Sequence, residues 1–552
     1  MRQSPVTVSL VFPSLPSLGY RMWVSHRSNP EPFAIRRIQD GQARMKVLFV
    51  YIDLAAQKNR KGQLVCSPGG WFQEGIASIA ACLRQAGHQV ALYHLVNPAG
   101  RDQFVEAVRR HAPDIAGLSI GSAIFPMSTR YARWAKQAGV PLTVAGGVHA
   151  MTMPEQTLAG GFDIACVGEG ERPMADLCDR LQRGEDITTI ASLHVRTDNG
   201  VVANPTRPFV EDLDQLPYPY FELFDFRRLV SSQTYTALAR VSRGCPYNCT
   251  YCCNRQIRAL YPNQKSFART RSPAGAIGYL KALRGAYPQM RYVNFMDDIL
   301  HPDEAWLEEF LPTYKREIGL PFVAQHRPGL LTERATSLLR DAGCYELHFG
   351  LESGNAEMRR KILKRGNISD EQIIEAFRLC KKYGIATGAY NMIGLPFETM
   401  SMALETIKLN ALVAPNLVWN PIFTPYPRTE LHRVAAEAGL VPEAPDYETE
   451  VIVDNPGFRP RQVLFVRAHF KLFVNAYKLA RRLPRLLGRP LEAALDRVFL
   501  FRFLPYGLLT SVGEGWMDFE ASSKAFVRRR FPRLYLRLRH WLTGHRIAHP
   551  TE

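Results

Sequence analysis

One short stretch limits the possible folds of this chain more than any other. Residues 243–253 read Arg-Gly-Cys-Pro-Tyr-Asn-Cys-Thr-Tyr-Cys-Cys, and three of the thiols follow the spacing C-x3-C-x2-C. We call these three the cluster cysteines: Cys245, Cys249 and Cys252. Three thiolates so close in sequence can hold an iron–sulfur cube at three corners, which leaves the fourth iron open to another ligand. The alternatives are unrelated buried cysteines or a zinc site, and zinc would require a fourth cysteine or histidine at regular spacing.

This spacing, with Tyr251 just before the third thiol, resembles the C-x3-C-x-aromatic-C signature of the radical SAM family. The resemblance implies that S-adenosylmethionine binds the open iron of a 4Fe–4S cluster and is cleaved reductively to a 5′-deoxyadenosyl radical. It also implies that Tyr251 packs beside that iron. Cys253 follows Cys252 directly and cannot easily reach the same cube, so we treat it as a non-ligand.

Length, charge and cysteine usage set wider limits. The chain has 552 residues, enough for about three domains. It contains 69 lysines and arginines against 51 aspartates and glutamates, a net charge of +18. This charge favours nucleic acid, an anionic membrane surface or acidic substrates as partners, without choosing among them. Four of the ten cysteines lie within residues 245–253, and the ten form no disulfide framework in a chain of this length, which indicates a reducing compartment and a cytoplasmic protein.

Residues 1–44 contain scattered prolines and no clear periodicity. We expect either a poorly ordered leader or a start codon assigned too early, because Met45 opens a typical first strand. A signal peptide is poorly supported, since Arg2 alone forms the charged region and no small-residue cleavage site stands out. We find no uninterrupted apolar run of 18 residues, so we expect no helix that spans a membrane.

Residues 45–200 alternate strands and helices, which predicts an α/β domain with a flavodoxin-like, doubly wound parallel sheet. The predicted strands are Val47–Ile52, Val90–Leu95, Ile115–Ile120, Leu142–Ala145 and Ile164–Val167. Ligands of such sheets bind beyond the carboxyl ends of the strands. The loops at those ends contain Ser119, Gly146, Gly147, Gly168 and Glu169.

This set of loops, placed ahead of the cysteine motif, resembles the cobalamin-binding domain of the B12-dependent radical SAM group. The resemblance implies that the loops of Ser119 and of Gly146–Gly147 cradle the nucleotide tail and the corrin edge, with Gly168 and Glu169 as further contacts. The alternative is a degenerate flavodoxin-like domain that binds nothing or binds protein.

One motif of that domain is missing. The D-x-H-x-x-G sequence, which supplies a lower axial histidine to cobalamin, is absent, and residues 70–75 read Gly-Trp-Phe-Gln-Glu-Gly in its region. We therefore expect cobalamin to bind without a histidine from that motif. Trp71, Phe72 and Gln73 are the candidates to face its lower side.

Residues 201–234 are predicted to form a proline-rich linker, preceded by a hairpin near residues 193–202. Residues 235–435 read as six further βα units, the number found in the partial (βα)6 barrel of the radical SAM family. The predicted strands are Tyr235–Val241, Tyr292–Met296, Phe322–Gln325, Glu346–Leu351, Ala386–Ile393 and Leu417–Phe423. Chemistry in βα barrels lies at the carboxyl ends of the strands, and the cysteine motif follows the first of them.

Three further motifs end later strands of the predicted barrel. Asp297 and Asp298 stand where the family's acidic turn contacts the methionine amino group of S-adenosylmethionine. Glu352 and Ser353 stand in the position of the family's G-x-E-S-G, which contacts the ribose or the carboxylate. Gly394 opens a segment that resembles the family's G-x-P-x-E-T. The plain alternative for the acidic residues is helix N-capping.

Residues 436–552 are predicted to be a basic, helical C-terminal region. An apolar stripe runs through residues 461–487, and residues 523–542 mix aromatic side chains with arginines. Such helices either cap a barrel, with the arginines in water, or lie on an anionic bilayer. No recognisable nucleic-acid-binding module accompanies them, so we expect no nucleic-acid partner.

Together these resemblances imply a cobalamin-dependent radical SAM enzyme that most commonly would methylate an unactivated carbon of a small-molecule or lipid-like substrate. An external electron donor of the flavodoxin or ferredoxin type would reduce the cluster. Two alternatives stay open: a radical SAM cyclase or oxidoreductase, and a cobalamin or redox sensor without turnover. No catalytic side chain and no substrate are identified by the sequence.

Overall fold

The structure is a computed structural model. It describes residues 44–53, 57–58, 64–65, 70–300, 303–366, 368–442, 445, 447, 449, 451–501, 503–531, 534–535 and 537–538. Nearly all of the predicted leader, residues 1–43, therefore lies outside the described residues. The same holds for most of the basic stretch beyond residue 531.

The first sheet has seven strands in the order β4-β1-β5-β6-β7-β8-β9. Its strands are β1 (Lys46–Ile52), β4 (Gln89–Leu95), β5 (Ile115–Ser119), β6 (Leu142–Gly146), β7 (Ile164–Cys166), β8 (Leu193–Thr197) and β9 (Gly200–Ala203), while β2 (Gln57–Lys58) and β3 (Leu64–Val65) pair separately. The first five strands are parallel and β8 and β9 are antiparallel. The strand order of the parallel part is that of flavodoxin-like sheets, as predicted.

Helices cover both faces of this sheet, because alternate residues of β1 point to opposite sides. Phe49 faces a core that includes Ile76 and Leu177, whereas Leu48 and Val50 face a second core around Phe104. The helices are α1 (Glu74–Gln85), α2 (Arg101–His111), α3 (Phe125–Gln137), α4 (Val148–Thr152), α5 (Pro154–Ala159) and α6 (Glu171–Arg183). Both faces are thus buried, as in a doubly wound domain.

The connector after the first sheet is packed against it. The first core continues through Phe221, Phe224 and Phe226 into the second domain. The hairpin of β8 and β9 pairs with β7, so the sheet extends through Ala203. The two α/β domains therefore share one continuous hydrophobic core.

The second sheet has six parallel strands in the order β10-β13-β14-β15-β16-β17, the arrangement of a partial (βα)6 barrel. The strands are β10 (Thr236–Ala239), β13 (Tyr292–Phe295), β14 (Phe322–His326), β15 (Cys344–Glu352), β16 (Ala386–Asn391) and β17 (Leu417–Trp419), with β11 (Ser242–Arg243) and β12 (Arg269–Thr270) as a separate pair. The helices are α7 (Asn254–Ala259), α8 (Pro273–Ala286), α9 (Glu304–Glu317), α10 (Glu333–Asp341), α11 (Asp370–Lys382), α12 (Met400–Val413) and α13 (Glu430–Glu437).

All six predicted barrel strands are present, but the last is shorter than predicted. It ends at Trp419, and pairing resumes only as a single bridge between Ile393 and Ile422. Pro421 lies between, and proline has no N–H to donate to a ladder.

The C-terminal region is helical, as predicted, with α14 (Pro460–Arg482), α15 (Arg485–Phe499) and α16 (Tyr506–Arg530). The apolar stripe of α14, including Phe465, Phe470 and Tyr477, packs on Leu404 and Ile407 of α12. This part of the region caps the barrel. Within the described ranges, none of the helices has the length and apolar character needed to cross a bilayer.

Candidate functional site

A cavity of about 490 Å³ lies between the two α/β domains. Its walls come from both sides: the loops after β5, β6 and β7 of the first sheet, and the loops after β10 and β13 of the barrel. Because parallel strands place their carboxyl ends at one edge of a sheet, the two sets of loops face each other here. Seven of the predicted site residues line this cavity: Ser119, Gly146, Gly147, Gly168, Glu169, Cys252 and Asp298.

Two neighbouring glycines shape the wall formed by the first domain. Gly147 has a φ of 89°, and a Cβ atom there would stand 2.8 Å from the carbonyl oxygen of Ile120. The neighbouring Gly146 lines the cavity, and a Cβ added to it would meet nothing within 4 Å. The backbone conformation therefore requires glycine at position 147, whereas Gly146 leaves open space at the wall for a large flat ligand.

The three candidate residues in the region of the missing histidine motif have different surroundings. Trp71 is exposed, and Phe72 packs against Phe221 and Phe224. Gln73 is the one of the three that lines the cavity, and its side chain accepts a hydrogen bond from the N–H of Gly75. No histidine is among the described residues that line the cavity. The wall thus fits cobalamin bound without histidine ligation.

Glu74, in the first turn of α1, is a cavity residue that the sequence analysis did not single out. Burial raises the pKa of its carboxyl to about 7, although the charges of Arg240 and Arg243 act to lower it. The cavity therefore contains a group that can hold or release a proton near neutral pH.

Glu169 is engaged by two arginines of the barrel. Arg269 donates to it through Nη2 at 2.7 Å, and Arg243 through Nη1 at 3.2 Å. Burial acts to raise the pKa of Glu169, but the two arginines outweigh it and the pKa is lowered. Its carboxylate therefore joins the two domains, in addition to lining the cavity.

Arg243 also binds Glu171, at the start of α6. Its Nη2 lies 2.6 Å from Glu171 Oε1 and 3.0 Å from the hydroxyl of Ser78, which itself donates to Glu171. Arg243 stands two residues before Cys245. One half-buried guanidinium thus connects the loop of the cluster cysteines to the first domain.

The loop of the cluster cysteines is held on several sides. Gly244 has a φ of 77°, and a Cβ atom on it would lie 2.4 Å from the carbonyl oxygen of Phe267. Thr250 donates its N–H to Leu363 and its hydroxyl to Ile362. The guanidinium of Arg327 lies 3.7 Å from the ring centroid of Tyr247, between the first two thiols. The loop is therefore well supported without a ligand.

The cluster cysteines are all free thiols, with Cys249 buried and the other two half-buried. Among the described residues, no three histidine, cysteine, aspartate or glutamate side chains are close enough to share a single metal ion. A cube bound at three corners places each thiolate on a different iron, so the three need not meet at one point. Their chemistry and common loop fit the cluster. Cys252 and its neighbour Cys253 both reach the cavity.

The two aspartates after β13 have different environments. Asp297 is buried, and its Oδ1 accepts from the N–H groups of Val241 and Ser242. Its Oδ2 has no hydrogen-bond partner among the described residues, and burial raises the pKa of its carboxyl to about 6 although Ser242 opposes this. Asp298 is exposed to the cavity and accepts from Asn254. Asp298 is therefore the better placed of the two to meet a ligand amino group.

Glu352 and Tyr251 are joined by an arginine that the sequence analysis missed. Arg365 donates to the Tyr251 hydroxyl at 2.6 Å and to Glu352 Oε1 at 3.0 Å. Burial raises the pKa of Glu352, although Arg365 acts to lower it. Glu352 has a φ of 67°, and the register of β15 with β16 shifts at this point. Such strain in a non-glycine residue is typical of functional sites.

Ser353 and Gly394 lie away from the cavity. Ser353 is fully buried, and its hydroxyl accepts from the N–H of Asn355. Gly394 donates its N–H to Glu398, and a Cβ on it would stand 3.1 Å from Val463 of α14. Their positions support turns at the ends of β15 and β16.

A polar group inside the barrel was also missed. Leu347 and Phe349 of β15 face the outer core, so Glu346 and His348 face the interior. His348 Nε2 lies 2.5 Å from Glu346 Oε1, and its Nδ1 lies 3.3 Å from the hydroxyl of Tyr390. The ring of Tyr390 stacks on Trp419 with centroids 4.6 Å apart. These residues lie on three strands, so no local sequence pattern could have grouped them.

Two family models match the chain. The model of the Radical SAM superfamily matches residues 240–409, and the model of the B12 binding domain matches residues 60–178. An uncharacterised methyltransferase of Pyrococcus horikoshii is 26% identical over 403 residues, which cover 72% of this chain and 85% of that protein. The anaerobic magnesium-protoporphyrin IX monomethyl ester cyclase of Rubrivivax gelatinosus is 25% identical over 393 residues, or 69% of this chain and 68% of the cyclase.

A solved structure shares the architecture. It is the radical S-adenosylmethionine methyltransferase TsrM of Kitasatospora setae with cobalamin and a [4Fe-4S] cluster bound. The TM-score is 0.58 at 17% sequence identity, over 73% of this chain and 76% of that chain. At this identity the likeness supports the fold alone, the arrangement of the two α/β domains.

Proposed function

The chain belongs to the cobalamin-dependent radical SAM enzymes, and on this basis we propose that it transfers a methyl group to an unactivated carbon of a small-molecule or lipid-like substrate. Its cofactors are a 4Fe–4S cluster, S-adenosylmethionine and cobalamin. When bound, the cluster and S-adenosylmethionine supply the radical that removes a hydrogen atom, and methylcobalamin supplies the methyl group.

One observation carries the proposal. The glycine loops of the first sheet and residues Cys252 and Asp298 of the barrel line the same cavity. Radical formation and methyl transfer must act on one substrate carbon, so the two cofactor sites have to open onto one space. A binding protein that only senses cobalamin would not require the cysteine loop at this wall.

We assign the following roles to the residues of this chain. The cluster cysteines hold the iron–sulfur cube. Asp298 binds the amino group of S-adenosylmethionine, and Glu352, held by Arg365 and Tyr251, binds its ribose or carboxylate. Four predicted contacts of the first domain form the cobalamin site: Ser119, Gly146, Gly147 and Gly168.

Two further assignments follow from the same contacts. Glu169 acts chiefly by joining the domains, because both of its barrel partners are arginines that line the same wall. Asp297 acts by holding the backbone of Val241 and Ser242, which lie three and two residues before Gly244. Both are positioning residues for the loop of the cluster cysteines.

The partners and location follow from the chemistry. The reductive step requires an external electron donor, for which a flavodoxin or a ferredoxin is suited. A thiolate-bound cluster requires a reducing compartment, which supports a cytoplasmic location. Peripheral contact with the inner face of the membrane is a separate proposal, which rests on the basic C-terminal region and not on the cluster.

A cyclase is the second candidate, and the 25% identity to the magnesium-protoporphyrin ester cyclase favours it. One experiment separates the two. Reduced, reconstituted protein is incubated anaerobically with S-adenosylmethionine that has a deuterated methyl group, together with cell extract. Methyl transfer yields 5′-deoxyadenosine and a product heavier by the labelled methyl group. 5′-Deoxyadenosine with an unlabelled product would indicate the cyclase, and no 5′-deoxyadenosine would refute both.

A further inference from the structure

The last described helix presents an apolar face that no other part of the described chain covers. Five large side chains recur along α16 at intervals of three, four and seven residues, and each is between 63% and 67% exposed. We call them the outer stripe: Leu508, Val512, Trp516, Phe519 and Phe526. In the turn before the helix, Phe503 is 83% exposed. Large apolar groups exposed together, rather than singly, mark an interaction surface.

The opposite side of α16 holds the helix against the protein. A Cβ atom on Gly513 would stand 2.9 Å from the side chain of Ala468 in α14, and Thr510 is buried. The outer stripe therefore points away from the domain core, since these residues lie about half a turn from it. The aromatic residues are not needed to attach the helix.

Charge indicates what covers this face. Residues 459–552 contain 19 lysines and arginines against six aspartates and glutamates, a net charge of +13 within a chain of +18. Residues 459–552 are thus the most basic part of the molecule. Along α16 itself, Glu514, Asp518 and Glu520 precede Lys524 and Arg528–Arg530, so the basic groups of this helix gather at its Phe526 end, where Arg530 follows Phe526 by one helical turn. Anionic lipid attracts basic groups, and aromatic and aliphatic side chains enter the boundary between headgroups and acyl chains.

We propose that the outer stripe and the turn at Phe503 dock the protein on an anionic lipid bilayer. Nucleic acid would match the charge but offers no acyl boundary for an outward row of Leu, Val, Trp and Phe. Docking would bring a lipid-like substrate to the enzyme. This inference rests on the proposed function for the substrate class only, because docking itself needs no turnover.

The test is co-sedimentation of the full chain with phosphatidylcholine vesicles, with and without phosphatidylglycerol. We expect binding only with the anionic lipid, and weaker binding at high salt because ions screen the attraction. Replacing Trp516→Ala and Phe519→Ala together should lower the partition coefficient by about tenfold per aromatic side chain. The matched control is Val201→Ala with Leu412→Ala, which removes two exposed apolar side chains elsewhere and should leave binding unchanged.

Three results would overturn the proposal. The first is equal recovery in the supernatant with and without phosphatidylglycerol at low salt. The second is equal binding by the Trp516→Ala, Phe519→Ala variant. The third is a wild-type dimer in solution that the same variant converts to a monomer, because a second copy would then cover the face. Formation of 5′-deoxyadenosine is measured in parallel. Intact cleavage without vesicle binding overturns only the docking, and vesicle binding without cleavage overturns only the proposed function.

Discussion

Replacing Arg243 tests whether the loop of the cluster cysteines depends on the first domain. In Arg243→Gln, Glu171 would lose a partner at 2.6 Å and Glu169 a partner at 3.2 Å. The Glu171 side chain is only 5% exposed, so its carboxylate depends mainly on these protein partners. In the variant, the Glu171 carboxylate therefore keeps only one of these partners, the hydroxyl of Ser78.

The size of the effect follows from these contacts. Breaking a buried ion pair by removing one partner costs about 3–5 kcal/mol. Arg269 still pairs with Glu169 and Ser78 still donates to Glu171, so we expect the lower end of that range, about 3 kcal/mol. Arg227→Gln is the matched control. Arg227 pairs with Asp225 but is 85% exposed, and its loss should leave stability nearly unchanged because solvent screens the pair.

Urea unfolding followed by circular dichroism, with both proteins free of cofactors, measures the difference. A double-mutant cycle with Glu171→Gln isolates the pair, and we expect the double variant to lose less than the sum of the single ones because neither charge is then left alone. A loss in Arg243→Gln no larger than in the control, or strict additivity in the cycle, would refute the reasoning.

The remaining predictions concern cofactors and pH. Alanine at any of the cluster cysteines should abolish the iron–sulfur absorption of reconstituted protein and cleavage of S-adenosylmethionine, whereas Cys253→Ala should keep both; a fully active cluster-cysteine variant would contradict the assignment. Reduced cob(II)alamin should show no nitrogen hyperfine splitting from histidine in its electron paramagnetic resonance spectrum, and a histidine pattern would refute this. Gly147→Ala should destabilise the cofactor-free protein by about 1–3 kcal/mol, because its φ of 89° and the nearby carbonyl oppose a Cβ. Gly146→Ala should leave stability unchanged but weaken cobalamin binding. Equal melting temperatures of the two variants would contradict the different roles given to these glycines. Burial raises the pKa of Glu398 to about 8 from 4.5, although two backbone N–H groups oppose it, so its contribution to stability is full below pH 4.5 and is lost as pH rises through 8. Each unit between the two pKa values corresponds to about 1.4 kcal/mol. Glu398→Gln should therefore reduce the change in the free energy of unfolding between pH 5 and 8 by a few kcal/mol. Parallel pH curves for the variant and the wild type would refute the burial effect.

Much of the architecture could be predicted because it depends on local patterns. The spacing of apolar residues indicated all six barrel strands and the five parallel strands of the first sheet, and strand periodicity reflects burial on alternate faces. The cysteine motif follows the first of these barrel strands in the sequence, so it could be placed at the carboxyl end of that strand. The early end of β17 was missed, although Pro421 is a local signal for it because proline has no N–H for a ladder hydrogen bond.

The site was predictable to the extent that each contact lies within one loop. Ser119, Gly146 and Asp298 reach the cavity because they follow strands whose carboxyl ends meet there. Glu169 was predicted as a cofactor contact, and its partners Arg243 and Arg269 lie 74 and 100 residues away. Nothing in the loop around Glu169 specifies such partners.

The amino-acid sequence alone was sufficient to determine the two α/β units and the order of their motifs, because these depend on periodicity and on spacing within a few residues, whereas the binding of an iron–sulfur cube by the cluster cysteines stays a prediction. Only the tertiary structure decided which polar groups pair, which candidate faces the cavity and which side of α16 stays exposed. Those outcomes depend on side chains brought together from distant positions. Burial makes a carboxylate such as Glu171 depend on an arginine partner. It also distinguishes an apolar stripe that packs in the core from one, such as that of α16, that no other part of the described chain covers.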